Sequence, residues 1–389
     1  MTTFLPNGSD RIFSAPLLFN ISKNMTEKRI VFLDYVRVFA CFLVMLVHAS
    51  ENFYPGPGAT DMAGPQSLLA NETDRLWVSL YDGFSRMSVP LFMIVSAFLL
   101  VPMKPGQTAR EFYKRRFTKI LPPFLIFAIL YSTLPMLWGQ IDATTALRDL
   151  ARIPLNFPTL AGHLWFMFPL FGLYLFIPVI SPWLEKAGKK EERFFILLFL
   201  ISTCIPYLNR WFGEVWGQCF WNEYHLLWYF SGYLGYLVLA HYIRVHLDWS
   251  RRKKLVIGVV MAVAGAVATI LSFYVQATPG VVLETPRLEI GWAFCTINVV
   301  CLTAGTFLIF SCIERETAPK LITKLSKLSY GMYLMHIFWL HLWSVVSIQM
   351  LHLPTVASIP FIAVCTFVCC AVTTGIISRI PGSKWIVGA

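Results

Sequence analysis

His48 lies near the far end of an otherwise apolar stretch, residues 30–49, which also carries Asp34 and Arg37. Arg37 and His48 are eleven residues apart in the chain, which in a helix is about three turns plus about 20°, so both side chains share one face. Asp34 lies one turn before Arg37, and Glu51 lies one turn beyond His48 if the helix continues. Ionisable groups in a membrane segment are costly and usually face a protein interior or a water-filled cavity. A helix that only anchored the chain would have no use for this stripe.

The stripe has three possible interpretations. A neutral imidazole, which His48 would supply, can take the proton from a hydroxyl group as that hydroxyl attacks an acyl group, because imidazole is the side chain whose charge ordinarily changes near neutral pH. A buried salt bridge between Asp34 and Arg37, with His48 at the headgroup level, is a purely structural interpretation. The same charges would also suit the lining of a permeation path.

Composition places these residues in a membrane protein. The chain has 389 residues, of which 57% are hydrophobic and only 14% are charged, and its mean hydropathy is +0.62. A soluble domain would carry about 25% charged residues. Long apolar runs recur along the chain, whereas a β-barrel would show short alternating segments. We therefore predict an all-α polytopic membrane protein.

We predict about ten transmembrane helices, each near the length of about 20 residues that a bilayer requires. The spans are approximately 30–49, 84–101, 120–138, 163–184, 194–208, 225–243, 255–275, 290–313, 328–348 and 359–378. The fifth span is short, and Pro90 interrupts the second.

Lys and Arg are distributed unequally between the two sides of these spans. One side holds 25 of these residues and the other side holds six. The positive-inside rule then places both termini in the cytoplasm. The net charge of +11 is accordingly interpreted as a topology signal with contributions from anionic lipid or ligand contact, and no nucleic-acid partner is predicted.

The ends of the chain differ in character from residues 25–380, which we predict to be the transmembrane domain. Residues 1–24 form either a tail or a segment upstream of the true start at Met25, and residues 381–389 form a cytoplasmic tail. Of the nine cysteines, only Cys219 falls clearly in an outer loop. We predict neither a disulfide framework nor a metal site, because no Cys or His spacing suggests one.

Five short motifs follow one another along the chain. They are Leu-Asp-Tyr-Val-Arg-Val-Phe-Ala…Val-His at 33–48, Pro-Leu-Phe-Met-Ile-Val-Ser-Ala-Phe-Leu at 90–99, Phe-Tyr-Lys-Arg-Arg-Phe-Thr-Lys-Ile-Leu-Pro at 112–122, His-Leu-Trp-Phe at 163–166, and Ser-Tyr-Gly-Met-Tyr-Leu-Met-His at 329–336. In this order they resemble the acyltransferase-3 family of integral-membrane O-acyltransferases. Ala97 stands where the family usually has glycine, and Lys119 stands where Arg is common. Both are departures from the pattern, and the second weakens the case for a bidentate phosphate contact.

The resemblance implies transfer of an acyl group to surface polysaccharides or related glycans. It implies acyl-CoA, most simply acetyl-CoA, as a co-substrate, with no permanently bound cofactor. His48 and Arg37 would be the catalytic pair. The basic run Arg115, Arg116 and Lys119 would bind the phosphates of the donor, although every predicted cytoplasmic loop is basic and the run also fits a positive-inside stop.

Further residues of these motifs and of the predicted outer loops are candidates for substrate contact or support. His163 and Trp165 also fit an interfacial aromatic cap, and His336 also fits a satisfied core histidine. Glu51 and Asp82 would orient His48 or bind sugar hydroxyls, unless they are merely solvated. The full set is Asp34, Glu51, Asp82, Ser96, His163, Trp165, Tyr333 and His336. The other histidines show no constellation around them.

We therefore predict a multi-pass enzyme of the cell inner (plasma) membrane that moves an acyl group from cytoplasmic acyl-CoA to a carbohydrate at the outer face, and the resemblance implies that this group is acetyl. His48 would act as the general base or form a transient acyl-imidazole. A succinyl group is an alternative within the same family. A glycan or lipid-linked-sugar transporter without chemistry is the alternative from another class. The sequence does not define the oligomeric state.

Overall fold

The computed structural model describes residues 29–54, 68–213, 215–217, 224–278 and 290–388. In these ranges the regular structure consists of helices without strands. Nine of the described helices are long and apolar enough to cross a membrane. The prediction of an all-α polytopic membrane protein is therefore confirmed. Residues 1–24 and Met25 lie outside the described residues, and so does Cys219.

Thirteen α-helices are described, and we number them in chain order. They are α1 (Val31–Glu51), α2 (Glu72–Ser85), α3 (Ser88–Leu100), α4 (Ala109–Thr133), α5 (Ala143–Arg152), α6 (Met167–Lys186), α7 (Lys189–Ser202), α8 (Ile205–Phe212), α9 (Tyr233–Val245), α10 (Arg251–Gln276), α11 (Ile297–Ser311), α12 (Lys320–Ser344) and α13 (Thr355–Ile377). Among the shorter elements, 3-10 helices at Gly162–Phe166 and His225–Phe230 precede α6 and α9, and a π-helix at Val345–Met350 continues α12.

Helix α1 lies at the centre of the helices that form the site. It packs against α2, α3, α11, α12 and α13. Of its ionisable residues, Asp34 is buried, whereas Arg37 and His48 keep part of their surface exposed. The charged stripe predicted for residues 34–51 is therefore a stripe on one helix that faces other helices.

The second predicted span is a broken helix that begins earlier than expected. Helix α2 starts at Glu72, where the side chain of Asn71 accepts a hydrogen bond from Asp74 N at 2.8 Å. Pro90 lies in the first turn of α3. Backbone N–H groups in the first turn have no acceptor within the helix, so a proline there breaks no helical hydrogen bond. The outer loop predicted for residues 50–83 is therefore shorter than expected. Asp82, taken as a loop acid, is instead a fully buried residue of α2.

Two helices extend further than their predicted spans at the ends that carry basic residues. Helix α4 begins at Ala109 with a capping box, in which Thr108 and Glu111 satisfy each other's backbone N–H groups. The basic run is therefore helical, and Arg116 and Lys119 share one face because they are three residues apart. Helix α12 begins at Lys320 rather than at residue 328, so Lys324 and Lys327 belong to its first turns.

The sixth predicted span is divided into two short helices. The 3-10 helix His225–Phe230 and α9 are separated at Gly232, which has a φ of 69°. Together they extend about 30 Å, the thickness of a hydrocarbon core. Lys189 Nζ at the start of α7 lies 3.7 Å from Asp248 Oδ2 beyond α9. The chain thus returns to the level from which α7 departed, which is the path that ten crossings require.

Helix α5 lies in the connection between the third and fourth predicted spans. Asp142 caps it by accepting a hydrogen bond from Thr145 N at 2.8 Å. Ala146 and Asp149 face the protein, whereas Leu147 is exposed on the opposite side. An exposed apolar side chain next to polar ones is typical of a helix at a membrane interface.

Candidate active site

A cavity of about 650 Å³ lies between α1, α3, α4, α6 and α12. This volume is within the range of about 300–1,000 Å³ that is typical of small-molecule sites. Five cationic side chains line the cavity, and within the described part of the chain its lining contains no carboxylate. The cations are Arg37, Arg116, Lys119, Lys324 and Lys327. Such a lining favours an anion that carries several charges.

The structure brings several of the sequence-predicted site residues together in this cavity. Arg37, Arg116, Lys119 and Ser96 all line it, as do two lysines that we had interpreted only as topology signals. Arg115 is exposed and does not line it, because one residue along a helix corresponds to a rotation of about 100°.

Ser326 and Arg37 contact Asp34 near the N-terminal end of α1. Its carboxylate accepts a hydrogen bond from Ser326 Oγ at 2.7 Å, and Arg37 Nη1 lies 4.0 Å from Asp34 Oδ1. The salt bridge between Asp34 and Arg37 that we considered from the sequence is therefore present, at the longest N–O distance that still counts as an ion pair. Arg37 itself is about one-third exposed and lines the cavity, so its guanidinium belongs to both features.

Three histidines from distant parts of the chain meet at the other end of α1. The His48 ring lies 5.0 Å from the His336 ring and 6.5 Å from the His163 ring, and His163 and His336 are 4.9 Å apart, measured between ring centroids. His336 and His163 are 0% and 5% exposed, whereas His48 is 19% exposed. The most accessible imidazole of the cluster is thus His48.

Glu51 fixes the orientation of His48. Glu51 Oε2 lies 2.6 Å from His48 Nδ1. When His48 is neutral, this contact requires Nδ1 to carry the proton, so Nε2 keeps its lone pair. Glu51 was a candidate for orienting His48, and the structure brings the two residues together as that interpretation requires.

His336 has the same tautomer for a different reason. Its Nδ1 donates to Tyr333 O at 2.5 Å, because the carbonyl can only accept. Its Nε2 is buried without a hydrogen-bond partner among the described residues. Buried polar atoms are normally paired, and an exception calls for an explanation. The interpretation of His336 as a satisfied core histidine is therefore true of one ring nitrogen and not of the other.

Tyr333 joins the cavity to the histidine cluster. Its side chain lines the cavity, and its hydroxyl donates to His163 O at 2.6 Å. Its ring lies about 6 Å from the rings of both His163 and His336. Tyr131, which the sequence did not single out, packs on the other side with its ring 4.9 Å from that of His163. The cavity thus ends one aromatic ring away from the histidines.

Asp82 and Trp165 do not contact these histidines. Asp82 Oδ1 pairs with Arg86 Nε at 2.7 Å and Asp82 Oδ2 accepts from Tyr54 Oη at 2.8 Å. Arg86 in turn places Nη2 4.0 Å from Glu51 Oε1, so Arg86 links Asp82 to the site. Trp165 stacks on Phe294 with its ring 5.4 Å away, which fits the aromatic-cap interpretation.

A second histidine group contradicts our statement that the remaining histidines have no constellation. Glu192 is fully buried, and its Oε1 lies 2.9 Å from His241 Nδ1 and 3.1 Å from His246 Nε2. No local pattern reveals this group, because Glu192 comes from α7 whereas the histidines come from the end of α9. In the described residues, no set of three Asp, Glu, His or Cys side chains is arranged to hold a metal ion.

The fold and the site together define a polytopic membrane protein in which a cation-lined cavity lies next to a buried group of histidines. The Acyltransferase domain family, Acyl_transf_3, matches residues 30–375, nearly the whole chain, and the chain belongs to this family of membrane acyltransferases. No curated protein and no solved structure matches the chain.

Proposed function

We propose that this protein is an O-acyltransferase of the inner (plasma) membrane that uses cytoplasmic acyl-CoA, with acetyl-CoA as the donor. The acceptor is a hydroxyl group of a surface or lipid-linked carbohydrate at the outer face. The observation that carries the proposal is the position of Tyr333, which borders both the cation-lined cavity and the histidine cluster. A donor in the cavity would therefore have its acyl end next to the histidines.

The cavity suits the nucleotide end of acyl-CoA. Coenzyme A carries several phosphate charges, and Arg and Lys hold phosphate oxygens through charge-assisted hydrogen bonds. Two of the five cations come from α4, two from α12 and one from α1. Cations from three helices would surround an elongated anion in the cavity. If the basic residues served only as a topology signal, their side chains would not need to converge on one cavity.

The distance along α1 suits an elongated donor. His48 is eleven residues beyond Arg37, which is about 16 Å along the helix axis. With the phosphates near Arg37, the pantetheine arm would extend along α1 and present the thioester at the level of His48. The acceptor hydroxyl would approach from the opposite side, because His48 is the most exposed of the three histidines.

In the proposed reaction, His48 Nε2 removes the hydroxyl proton while the hydroxyl oxygen forms a bond to the thioester carbonyl carbon. Glu51 stabilises the imidazolium that results, because its carboxylate contacts Nδ1–H. Collapse of the tetrahedral intermediate breaks the carbon–sulfur bond. The thiolate of coenzyme A then takes the proton from His48, which restores the neutral imidazole and leaves an O-acyl ester.

A second route keeps the same residues and changes their order. His48 Nε2 would attack the thioester carbonyl carbon, and the carbon–sulfur bond would break to give an acyl-imidazolium and the thiolate of coenzyme A. The acceptor hydroxyl would then attack the acyl group and displace the neutral imidazole. His336 Nε2, buried and without a partner among the described residues, would accept the hydroxyl proton in that second step and release it before the next cycle, which balances the proton that the thiolate takes up. A labelled acyl group that remains on the protein when no acceptor is present would distinguish this route from general-base catalysis.

The experiment that tests the proposal compares cells that lack the gene with cells that carry it. Mass spectrometry of surface glycans should show an O-acyl group only when the gene is present, and the added mass would distinguish acetyl from succinyl. Purified protein in proteoliposomes should also release coenzyme A from acetyl-CoA when membranes from the deletion strain supply the acceptor. Unchanged glycan acylation with altered glycan export would favour the transporter instead.

A further inference from the structure

The last residues that the structure describes fold back against the helices. Gly382, with a φ of 85°, precedes a 3-10 helix at Ser383–Trp385. Ser383 donates its hydroxyl to Ser378 O at 3.2 Å, and Val387 N donates to Ser383 O at 2.8 Å. Val387 is fully buried. We call residues 383–388 the returning segment, and it replaces most of what we had predicted to be a cytoplasmic tail.

Two glycines permit close contact between the returning segment and α12. A Cβ atom at Gly331 would lie 2.7 Å from Val387 Cβ and 3.0 Å from Val387 O. Gly388 has a φ of 71°, and a Cβ atom there would lie 2.7 Å from Tyr330 Cδ1. Glycine is favoured where the backbone is left-handed or approaches another element closely. A side chain at either position would separate the segment from the helix.

The returning segment forms part of the boundary of the cation-lined cavity. Gly388 and Ser378 line it together with Lys119 and Tyr330. Lys119 O would lie 3.7 Å from a Cβ atom at Gly388, so the segment reaches α4 as well as α12. The two helices are also joined directly, because Tyr330 donates its hydroxyl to Ile120 O at 2.6 Å. The segment therefore lies at the junction of α4 and α12.

This junction determines how the cations of the cavity are spaced. Arg116 and Lys119 come from α4, whereas Lys324 and Lys327 come from α12. A change of about 1 Å between the helices would alter the charge-assisted hydrogen bonds that these side chains can make to one ligand. Packing of Val387 and Gly388 against both helices opposes such a change.

We propose that the returning segment is a wall of the donor site, which closes the cavity beside Lys119 and fixes the spacing between the cations of α4 and α12. The inference rests on the proposed function, because its ligand is the acyl-CoA donor placed in this cavity. Undocking the segment would lower the affinity for coenzyme A and leave the histidine cluster at the other end of α1 in place.

The test is isothermal titration of coenzyme A into the purified full-length protein. Gly388→Ala places a methyl group against the Tyr330 ring, and Val387→Asp places a carboxylate in a fully buried position. Each variant should bind coenzyme A at least about tenfold more weakly than the wild type. An unchanged elution volume and a cooperative thermal unfolding transition would show that the variant is folded. Ile380→Ala is the matched control, because Ile380 is an exposed apolar residue that precedes the returning segment, and it should bind as the wild type does.

The outcomes separate this inference from the proposed function. If the wild type itself does not bind coenzyme A, the proposed donor site is wrong, and the inference that the returning segment is its wall is wrong as well. If the wild type binds and folded Gly388→Ala binds within about twofold of it, only the wall is wrong. Should Val387→Asp fail to fold, Gly388→Ala carries the test. Failure of both to fold would overturn the inference, because the segment would then be a stability element.

Discussion

Glu51 Oε2 lies 2.6 Å from His48 Nδ1, one turn further along the same helix. Arg86 Nη2 lies 4.0 Å from the other oxygen of this carboxylate, and the cation favours its ionised form. An ionised Glu51 can accept from Nδ1–H but cannot donate a proton to it. The pair therefore directs proton transfer to His48 Nε2, which is the nitrogen that our proposed mechanism uses.

Glu51→Gln tests the role of this pair. The amide can still accept from Nδ1–H, so the tautomer can survive, but the charge that stabilises the imidazolium is lost. We expect acyl transfer to slow by about 10²-fold or more, with coenzyme A affinity unchanged. Initial rates and titration would measure both. Glu72→Gln is the matched control, since Glu72 is exposed on α2, and equal rates for the two variants would argue against the pair.

The donor cavity is tested by neutralising its cations one at a time. Arg116→Gln and Lys324→Gln should each weaken coenzyme A binding by about 1.5–3 kcal/mol if each removes one charge-assisted phosphate contact. Arg115→Gln removes the same charge from the same turn of α4 at an exposed position outside the cavity, and it should have little effect. If all three variants bind alike and insert correctly, the cavity cations are only a topology signal.

His336→Leu separates a structural role from a chemical one. A packing role predicts a variant that stays active, since leucine fills a similar volume and has no polar side-chain atom of its own to satisfy. A role in proton transfer predicts a rate at least about 10²-fold lower, although the lost bond to Tyr333 O would cost only about 1 kcal/mol of stability. Thermal unfolding and transfer rates measured on the same sample would decide between them.

The ten-span topology is tested by labelling single cysteines, introduced into a variant whose Cys219 is replaced by serine. Labels at Lys190→Cys and Arg252→Cys should react from the same side, because the ion pair between Lys189 and Asp248 holds these two loops together. The positive-inside rule predicts that this side is cytoplasmic. Thr144→Cys on α5 should react from the opposite side. Labelling of Lys190 and Arg252 from different sides would remove the segment 225–245 from the count of crossings.

Much of the transmembrane architecture and the charged stripe of α1 could be predicted from the sequence. Apolar runs have a physical length requirement, and helical spacing relates Asp34, Arg37, His48 and Glu51 without any tertiary contact. The meeting of His163 and His336 with His48 depends on packing between distant segments. Only the resemblance to a family pointed to these two residues.

The remaining errors come from helix boundaries and from charges with two possible roles. Helix α2 has a mean hydropathy too low for it to stand out, so Asp82 was assigned to a loop. Lys324 and Lys327 belong to a basic loop by composition, and only the start of α12 at Lys320 turns them toward the cavity. The returning segment depends on contacts at Gly331 and Gly388, which no local pattern reveals.

The two ends of α1 should be separable by mutation. Arg37→Ala should weaken coenzyme A binding and perturb folding, because Asp34 would lose its cation while it remained buried. Ser326 would still donate to Asp34, so we expect a folded protein with a lower unfolding temperature. Titration of coenzyme A and thermal unfolding would measure these effects. Normal affinity in folded Arg37→Ala would remove Arg37 from the donor site.

The central claim is that His48 performs the transfer while the donor is held elsewhere. The most direct measurement determines the acetyl-transfer rate and the coenzyme A affinity of His48→Ala on one preparation. Because the nucleotide end would lie about 16 Å away along α1, affinity should match the wild type. The rate should fall by at least about 10²–10⁴-fold. A His48→Ala protein that transfers acetyl groups at a rate close to that of the wild type would contradict the account.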